Sequence, residues 1–116
     1  MKNISDINLL KHLASEGALF ILFGGDNCSV CKSIRPQLQV MLEHNFPQMH
    51  CVYVDCGASP EICAQYGVFS LPVVKAYIDG MVIAKEVGAF SIKQLIKTLE
   101  RPYTMWLSSD VKPTDR

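Results

Sequence analysis

The chain has 116 residues, enough for one domain with a real core, and its 49% hydrophobic content is that of a globular protein. Eleven Lys and Arg balance eleven Asp and Glu with no run of either sign, which excludes a surface built for nucleic acid or for an anionic membrane. The longest apolar run, Ala18 to Phe23, falls far short of the roughly 20 residues that cross a bilayer.

Ser5 to Glu16 reads as a short helix with Ile7, Leu10, Leu13 and Ala14 on one stripe, Ser5 as its N-cap and Gly17 as its stop. Its charged residues, Asp6, His12 and Glu16, and the lack of a small-residue cleavage site after the apolar run argue against a signal peptide, so a cytoplasmic location is expected. Ala18 to Phe23 has the length and continuous apolar character of a central strand buried on both faces. Gly24-Gly25-Asp26-Asn27 then leads into Cys28-Ser29-Val30-Cys31-Lys32, where a helical pattern opens: Cys31, Ile34, Leu38, Met41 and Leu42 recur at helical spacing to about His44. Pro36 lies inside that helix and predicts a kink rather than a break, because the apolar period continues beyond it. His50 to Asp55 is the next strand, making a βαβ unit with the helix as crossover.

Ser59-Pro60-Glu61 has the form of a helix start, with a capping hydroxyl, proline at the first position and an acid in the first turn; Tyr66-Gly67 ends this short helix. Val68 to Pro72 leads into a strand over Val73 to Ile78, and Asp79-Gly80 is a two-residue hairpin signal that returns the chain antiparallel over Met81 to Val87. Ser91 with Gln94 forms a capping box, and Ile92, Leu95, Ile96 and Leu99 mark a last helix expected to stop before Pro102. Residues 103–116 read as a tail in which Trp106 and Leu107 dock on the body and Ser108 onward is polar and mobile.

The chemistry is carried by Cys28 and Cys31. A sulfur at a strand-to-helix turn meets the positive end of the helix dipole and unpaired N–H donors, both of which stabilise a thiolate. Cys28 is therefore placed as a nucleophile, and Cys31, one turn on, is close enough to resolve a mixed disulfide formed there. A zinc site needs two further ligands, and Cys56 with Cys63 lacks the close spacing of a metal knuckle, so no metal is expected. Placed along one helix, Cys56 and Cys63 would stand roughly 10 Å apart, too far for a disulfide without local unfolding, and a regulatory disulfide there is the minor reading. Cys51 reads as a small buried hydrophobe, Asp55 and Lys75 as solvated or strand-end charges, and His12, His44 and His50 as surface or capping residues. An odd total of five cysteines speaks against a secreted disulfide scaffold and for a reducing compartment with one working pair.

The element order, with C-x-x-C after the first strand, Pro36 in the following helix, Leu71-Pro72 before the hairpin and Val87-Gly88-Ala89 before the last helix, resembles the thioredoxin family from about Ser5 to Arg101. The resemblance implies an α/β thioredoxin fold, three layers α/β/α around a central mixed sheet of four strands, in a domain over residues 1–102. It also implies that Leu71-Pro72 is a cis peptide beside the dithiol, that Leu71 offers its backbone to an extended substrate, and that Gly88 leaves room for the substrate chain. Protein disulfides would be the substrates, a thioredoxin-reductase-like or glutathione system the electron donor, and no bound cofactor is needed. Thioredoxins carry Trp before the first cysteine and usually Gly-Pro between the two; Asn27 and Ser29-Val30 stand there instead, so substrate contacts at Asn27, Ser29 and Val30 differ. A buried Asp and Lys of the family correspond to Leu22 and Cys51, which leaves an apolar floor beneath Cys31 and a slower resolving step. Asp26 would oppose a thiolate at Cys28, and Lys32 and Arg35 would favour one if they turn toward it. The alternative function is a redox-weak thioredoxin-like binding or co-chaperone module.

Overall fold

The structure, a computed structural model, describes residues 1–110. Nine elements follow in order: β1 (Lys2–Asn3), α1 (Ile7–Ser15), β2 (Ala18–Gly24), α2 (Ser29–Asn45), β3 (His50–Asp55), α3 (Pro60–Gln65), β4 (Val73–Ile78), β5 (Met81–Val87) and α4 (Ile92–Asp110). The sheet has five strands, not the expected four, in the order β1-β3-β2-β4-β5. The extra strand is β1, two residues that pair in parallel with Val52 and Tyr53 at the sheet edge. Two residues carry no readable alternation, so nothing in the sequence announces it.

All seven residues of β2 are buried, as its unbroken apolar run predicts for the middle of a covered sheet. Alternate side chains of β2 feed two cores. Ala18, Phe20 and Leu22 pack with Leu38 and Leu42 of α2 and Leu95, Ile96, Leu99 and Tyr103 of α4, whereas Leu19, Ile21 and Phe23 pack with Leu10 and Ala14 of α1 and Ile62 of α3. The result is a three-layer α/β/α arrangement with helices on both faces of a mixed sheet.

Several ends differ from expectation. α1 is capped by Asp6, whose carboxylate accepts from the N–H groups of Asn8 (2.9 Å) and Leu9 (3.3 Å), one residue after Ser5. Ser59 makes no side-chain cap on α3; it is buried, and the preceding turn is held by Asp55, which accepts from Gly57 N–H (2.8 Å) and Ala58 N–H (3.2 Å). Asp55 is thus a strand-end charge, one of the two expected readings, that also forms the turn. Lys75 likewise donates to the Tyr66 carbonyl, with its ammonium near the Tyr66 ring, and burial with the neighbouring Lys85 charge lowers its pKa from the ordinary 10.5. The hairpin turn is as read: Asp79 and Gly80 both have positive φ, at 49° and 85°.

Cys56 and Cys63 form a disulfide with Cα atoms 5.7 Å apart, contrary to the expected separation. Only Cys63 lies on the helix. Cys56 precedes it in the turn that Asp55 closes, which folds the chain back over α3, so a rise of 1.5 Å per residue never applied across the interval. Cys51 is free and half-buried. Burial pushes its thiol from the ordinary 9.0 up to about 11, with Glu43 adding to the rise and the N-terminal ammonium opposing it.

The last helix, expected to stop before Pro102, runs through it to Asp110. The apolar period explains this: Leu95, Leu99, Tyr103 and Trp106 continue one stripe past the proline, as Ile34 and Leu38 do around Pro36 in α2. Tyr103 is 4% exposed, stacks edge-on with Phe46 at 4.9 Å and accepts from Gln48 N–H through its hydroxyl at 2.9 Å. The remaining residues of the expected mobile tail, 111–116, lie outside the described residues.

Two outcomes follow from this packing. Tyr103→Ala should lower stability by about 3 kcal/mol and Tyr103→Phe by about 1 kcal/mol in urea denaturation, values that a residue in a loose tail would not show. Because the folded state holds the Cys51 proton more tightly than the unfolded chain, that contribution is complete below pH 9 and lost as pH rises toward about 11. Cys51→Ala should therefore flatten the fall in stability across that window, and an unchanged slope would contradict the assignment.

Candidate active site

The site is built where β2 ends. Gly24 and Gly25 carry the chain off the sheet, Cys28 N–H donates to Gly25 C=O (3.1 Å), and Lys32 N–H donates to Cys28 C=O (3.2 Å), so the turn feeds directly into α2. Cys28 is the N-cap of α2: its backbone is extended and its sulfur accepts the N–H of Cys31 at 3.2 Å. The sulfur thus takes the place of the oxygen that usually satisfies a first-turn donor. Cys28 is joined to Cys31 as a disulfide, with Cα atoms 5.2 Å apart. Cys28 is half-buried, whereas Cys31 is fully buried.

A cleft of about 380 Å³ opens beside Cys28, lined by Gly25, Asp26, Asn27, Gly57 and Leu71. Leu71 reaches it because position 25 has no side chain: a Cβ on Gly25 would lie 3.3 Å from the Leu71 methyl. The Leu71-Pro72 bond is cis, as the family resemblance implies, and Pro72 is buried. Gly88 lies across from it, donating its N–H to Pro72 C=O at 2.8 Å. Its φ of 78° demands glycine, while a Cβ there would meet nothing within 4 Å, so the space beside it is open to an incoming chain. Asn27, Ser29 and Val30 are exposed around Cys28, with Asn27 in the cleft wall. The structure therefore brings Asn27, Cys28 and Leu71 together at one cleft, pairs Pro72 with Gly88 at the adjoining strand ends, and sets Ser29 and Val30 on the first turn of α2.

Leu22 is fully buried and packs in the same core as Cys51. Arg35 does not turn toward the sulfurs. Its guanidinium lies 4.1 Å from the centre of the Tyr53 ring and donates to Met1 C=O (2.8 Å) and Asn3 Oδ1 (2.6 Å), tying β1 to α2. Burial, then the carboxylate of Asp55, raises the Tyr53 phenol above its ordinary 10.0; Arg35 opposes this and Asp26 adds to it. Sequence reading missed Gly25, Gly57 and Tyr53. The Gly24-Gly25 pair before the cysteines was the available signal for a close backbone approach.

Comparison with known proteins agrees with this geometry. The family model described as Thioredoxin matches residues 1–101. The thioredoxin-like protein YdfQ of Bacillus subtilis is 29% identical over 87 residues, covering 75% of this chain and 77% of that one. Thioredoxin of Streptomyces clavuligerus is 32% identical over 90 residues, covering 77% and 83%. Among solved structures, oxidized mitochondrial thioredoxin 3 from Saccharomyces cerevisiae superposes with a TM-score of 0.73 at 24% identity, covering 84% of this chain and 91% of that one. The paired cysteines that open α2 thus sit within a match that spans nearly all the described residues, and the chain belongs to the thioredoxin family of thiol–disulfide oxidoreductases.

Proposed function

We propose that Cys28 is the attacking sulfur and Cys31 the resolving one in exchange with protein disulfides. The observation that carries the assignment is the asymmetry of the pair: Cys28 is the half-buried N-cap facing the cleft, whereas Cys31 is fully buried one turn behind it. Once the pair is reduced, the Cys28 thiolate attacks one sulfur of the substrate, that S–S bond breaks, and the other substrate sulfur leaves with the electron pair. Cys31 then gives up its proton and attacks Cys28, which restores the Cys28–Cys31 disulfide and releases the second substrate thiol. The proton of Cys31 ends on a substrate sulfur. The electrons come from outside the chain, and a thioredoxin-reductase-like protein or glutathione, acting in the cytoplasm, is the donor that fits the family resemblance.

Leu71, Pro72 and Gly88 hold the substrate backbone in this reading, and Asn27, Ser29 and Val30 contact the residues around its disulfide. Support comes from the open space at Gly88 and from Leu71 standing in the Cys28 cleft. A second reading, a partner-binding module with weak turnover, is favoured by buried Leu22: no carboxylate is available from that strand position to take the Cys31 proton.

In the reduced protein, iodoacetamide at neutral pH should label Cys28 faster than Cys31 by at least about tenfold, since thiolate fraction and access both favour Cys28. Peptide mapping reads the order, and faster labelling of Cys31 would reverse the roles. Cys31→Ser should trap substrates as mixed disulfides on Cys28, and Cys28→Ser should trap none at this site. Turnover of a generic protein disulfide with dithiothreitol separates the two readings: catalysis supports the oxidoreductase roles, and stable partner capture by the Cys28→Ser/Cys31→Ser variant without turnover in the native protein supports the binding module.

A further inference from the structure

On β4, residues 73, 75 and 77 share the face of the sheet on which Val73 and Tyr77 pack with α1 and α3. Their register partners on β5 are Val87, Lys85 and Val82. The helices cover only the inner half of this strip. Val73 is 3% exposed, whereas Val82 and Val87 are 56% and 54% exposed, and Lys85 is exposed between them. β5 is the edge of the sheet, so its side of the strip lies open. The strip also adjoins the dithiol site: Val73 follows Pro72, Val87 precedes Gly88, and Gly88 N–H donates to Pro72 C=O at 2.8 Å.

Charge on this strip has one sign. Lys75 and Lys85 stand directly opposite each other, and like charges so placed oppose folding. Glu86 is the one carboxylate on the two strands, and it partners Val74, so it faces the other core. Among the described residues neither ammonium pairs with a carboxylate. Lys75 donates to Tyr66 C=O and lies 5.7 Å from the centre of the Tyr66 ring, which leaves further donors of its ammonium unused. Burial raises the phenols of Tyr66 and Tyr77 above the ordinary 10.0, and Tyr77 adds to the rise at Tyr66. Both phenols therefore keep their protons at neutral pH and do not repel an anion. Two ammonium groups and two protonated phenols, with no acid on their face, form in a chain of zero formal net charge a local surface complementary to negative charge.

We propose that this strip is a subsite for acidic protein substrates: an extended substrate chain held at Leu71 and Gly88 continues over the open side of β5 and sets a Glu or Asp side chain between Lys75 and Lys85. At about 3.3 Å per residue, Lys75 lies about 10 Å along β4 from Pro72, so the acidic residue stands about three positions from the one held at Gly88. Its carboxylate relieves the repulsion between the two ammonium groups and takes up donors of Lys75 that the Tyr66 carbonyl leaves unused. Val82 and Val87, at the two ends of the strip, receive apolar side chains on either side of the acid. The place of the strip in catalysis rests on the reading of Cys28 as the attacking sulfur; its affinity for an acidic chain does not.

The test has two arms. In the first, the isotope-labelled protein is titrated by NMR with a cysteine-free peptide carrying Glu, with its Gln and Lys counterparts, and with inorganic phosphate. The Glu peptide should shift the amides of Lys75, Tyr77 and Lys85, bind about fivefold more tightly than the Gln peptide at low salt, and lose that advantage in about 0.5 M sodium chloride. Lys85→Glu, a change at an exposed position, should reverse the order so that the Lys peptide binds best. No shift at these amides, equal affinity for the Glu and Gln peptides, or an equal response to phosphate alone overturns the proposal. In the second arm, disulfide-linked peptides carrying Glu or Gln about three residues from the cysteine are reduced by the protein with dithiothreitol as electron source. KM should be about fivefold lower for the Glu peptide with kcat nearly equal, and Lys85→Glu should invert that ratio. Turnover of both peptides at equal KM overturns this proposal alone. Turnover of neither, with the first arm as expected, overturns the roles of Cys28 and Cys31 and leaves the affinity of the strip for acidic chains standing.

Discussion

The reactive end of this molecule depends on the hydrogen bond from Cys31 N–H to the Cys28 sulfur. An α-helix begins with N–H groups that lack partners inside the helix, and something must accept from them. In α1 a carboxylate does so; in α2 the acceptor is sulfur. A sulfur used in this way is held at the positive end of a helix of 17 residues, where negative charge is stabilised. The same requirement that starts the helix thus sets a sulfur where a thiolate is favoured. It works only because β2, buried along its whole length, fixes where the chain leaves the sheet.

Behind that cap the chain departs from the polar arrangement its resemblance suggests. Leu22 and Cys51 stand where the resemblance puts a carboxylate and an ammonium, and Arg35 covers Tyr53 and ties the N-terminal strand to α2. A guanidinium stacked on a ring with two oxygen acceptors has its hydrogen-bonding demands largely met, which explains why it does not serve the sulfurs. Lys32, exposed on the first turn, and Asp26, in the cleft wall, are the formal charges left nearest to Cys28 in sequence. Their signs are opposite, in keeping with a chain of zero formal net charge.

Most of the sheet, the order of elements and the dithiol were legible because each rests on a local signal: a continuous apolar run for β2, Asp79-Gly80 for the hairpin, C-x-x-C at a strand-to-helix turn. What escaped depends on distant partners. β1 exists because Val52 and Tyr53 offer it an edge, and two residues hold no periodicity of their own. The Cys56–Cys63 bond escaped because spacing along a helix was applied to a residue that sits in a turn. The extension of α4 was hidden by Pro102. The apolar stripe carries through Pro102 to Tyr103 and Trp106 as it does through Pro36, and packing of that stripe outweighs one lost backbone hydrogen bond. At the cleft, glycines were the hardest to read, since Gly25 and Gly57 act by what they leave out.

Gly24 illustrates how far such an omission reaches. A Cβ there would come within 2.9 Å of two ring carbons of Tyr53, so the large residue on β3 occupies the room that the small one on β2 vacates. The two positions are sterically coupled. A lineage that enlarges residue 24 first meets a clash, and one that first shrinks residue 53 opens a hole under Arg35 and loosens the attachment of the N-terminal strand. Neither order of substitution is neutral, so the Gly24–Tyr53 combination should persist or be replaced as a unit, and grafting the Cys28 loop from a relative with a bulky residue at position 24 would carry a hidden incompatibility with this sheet.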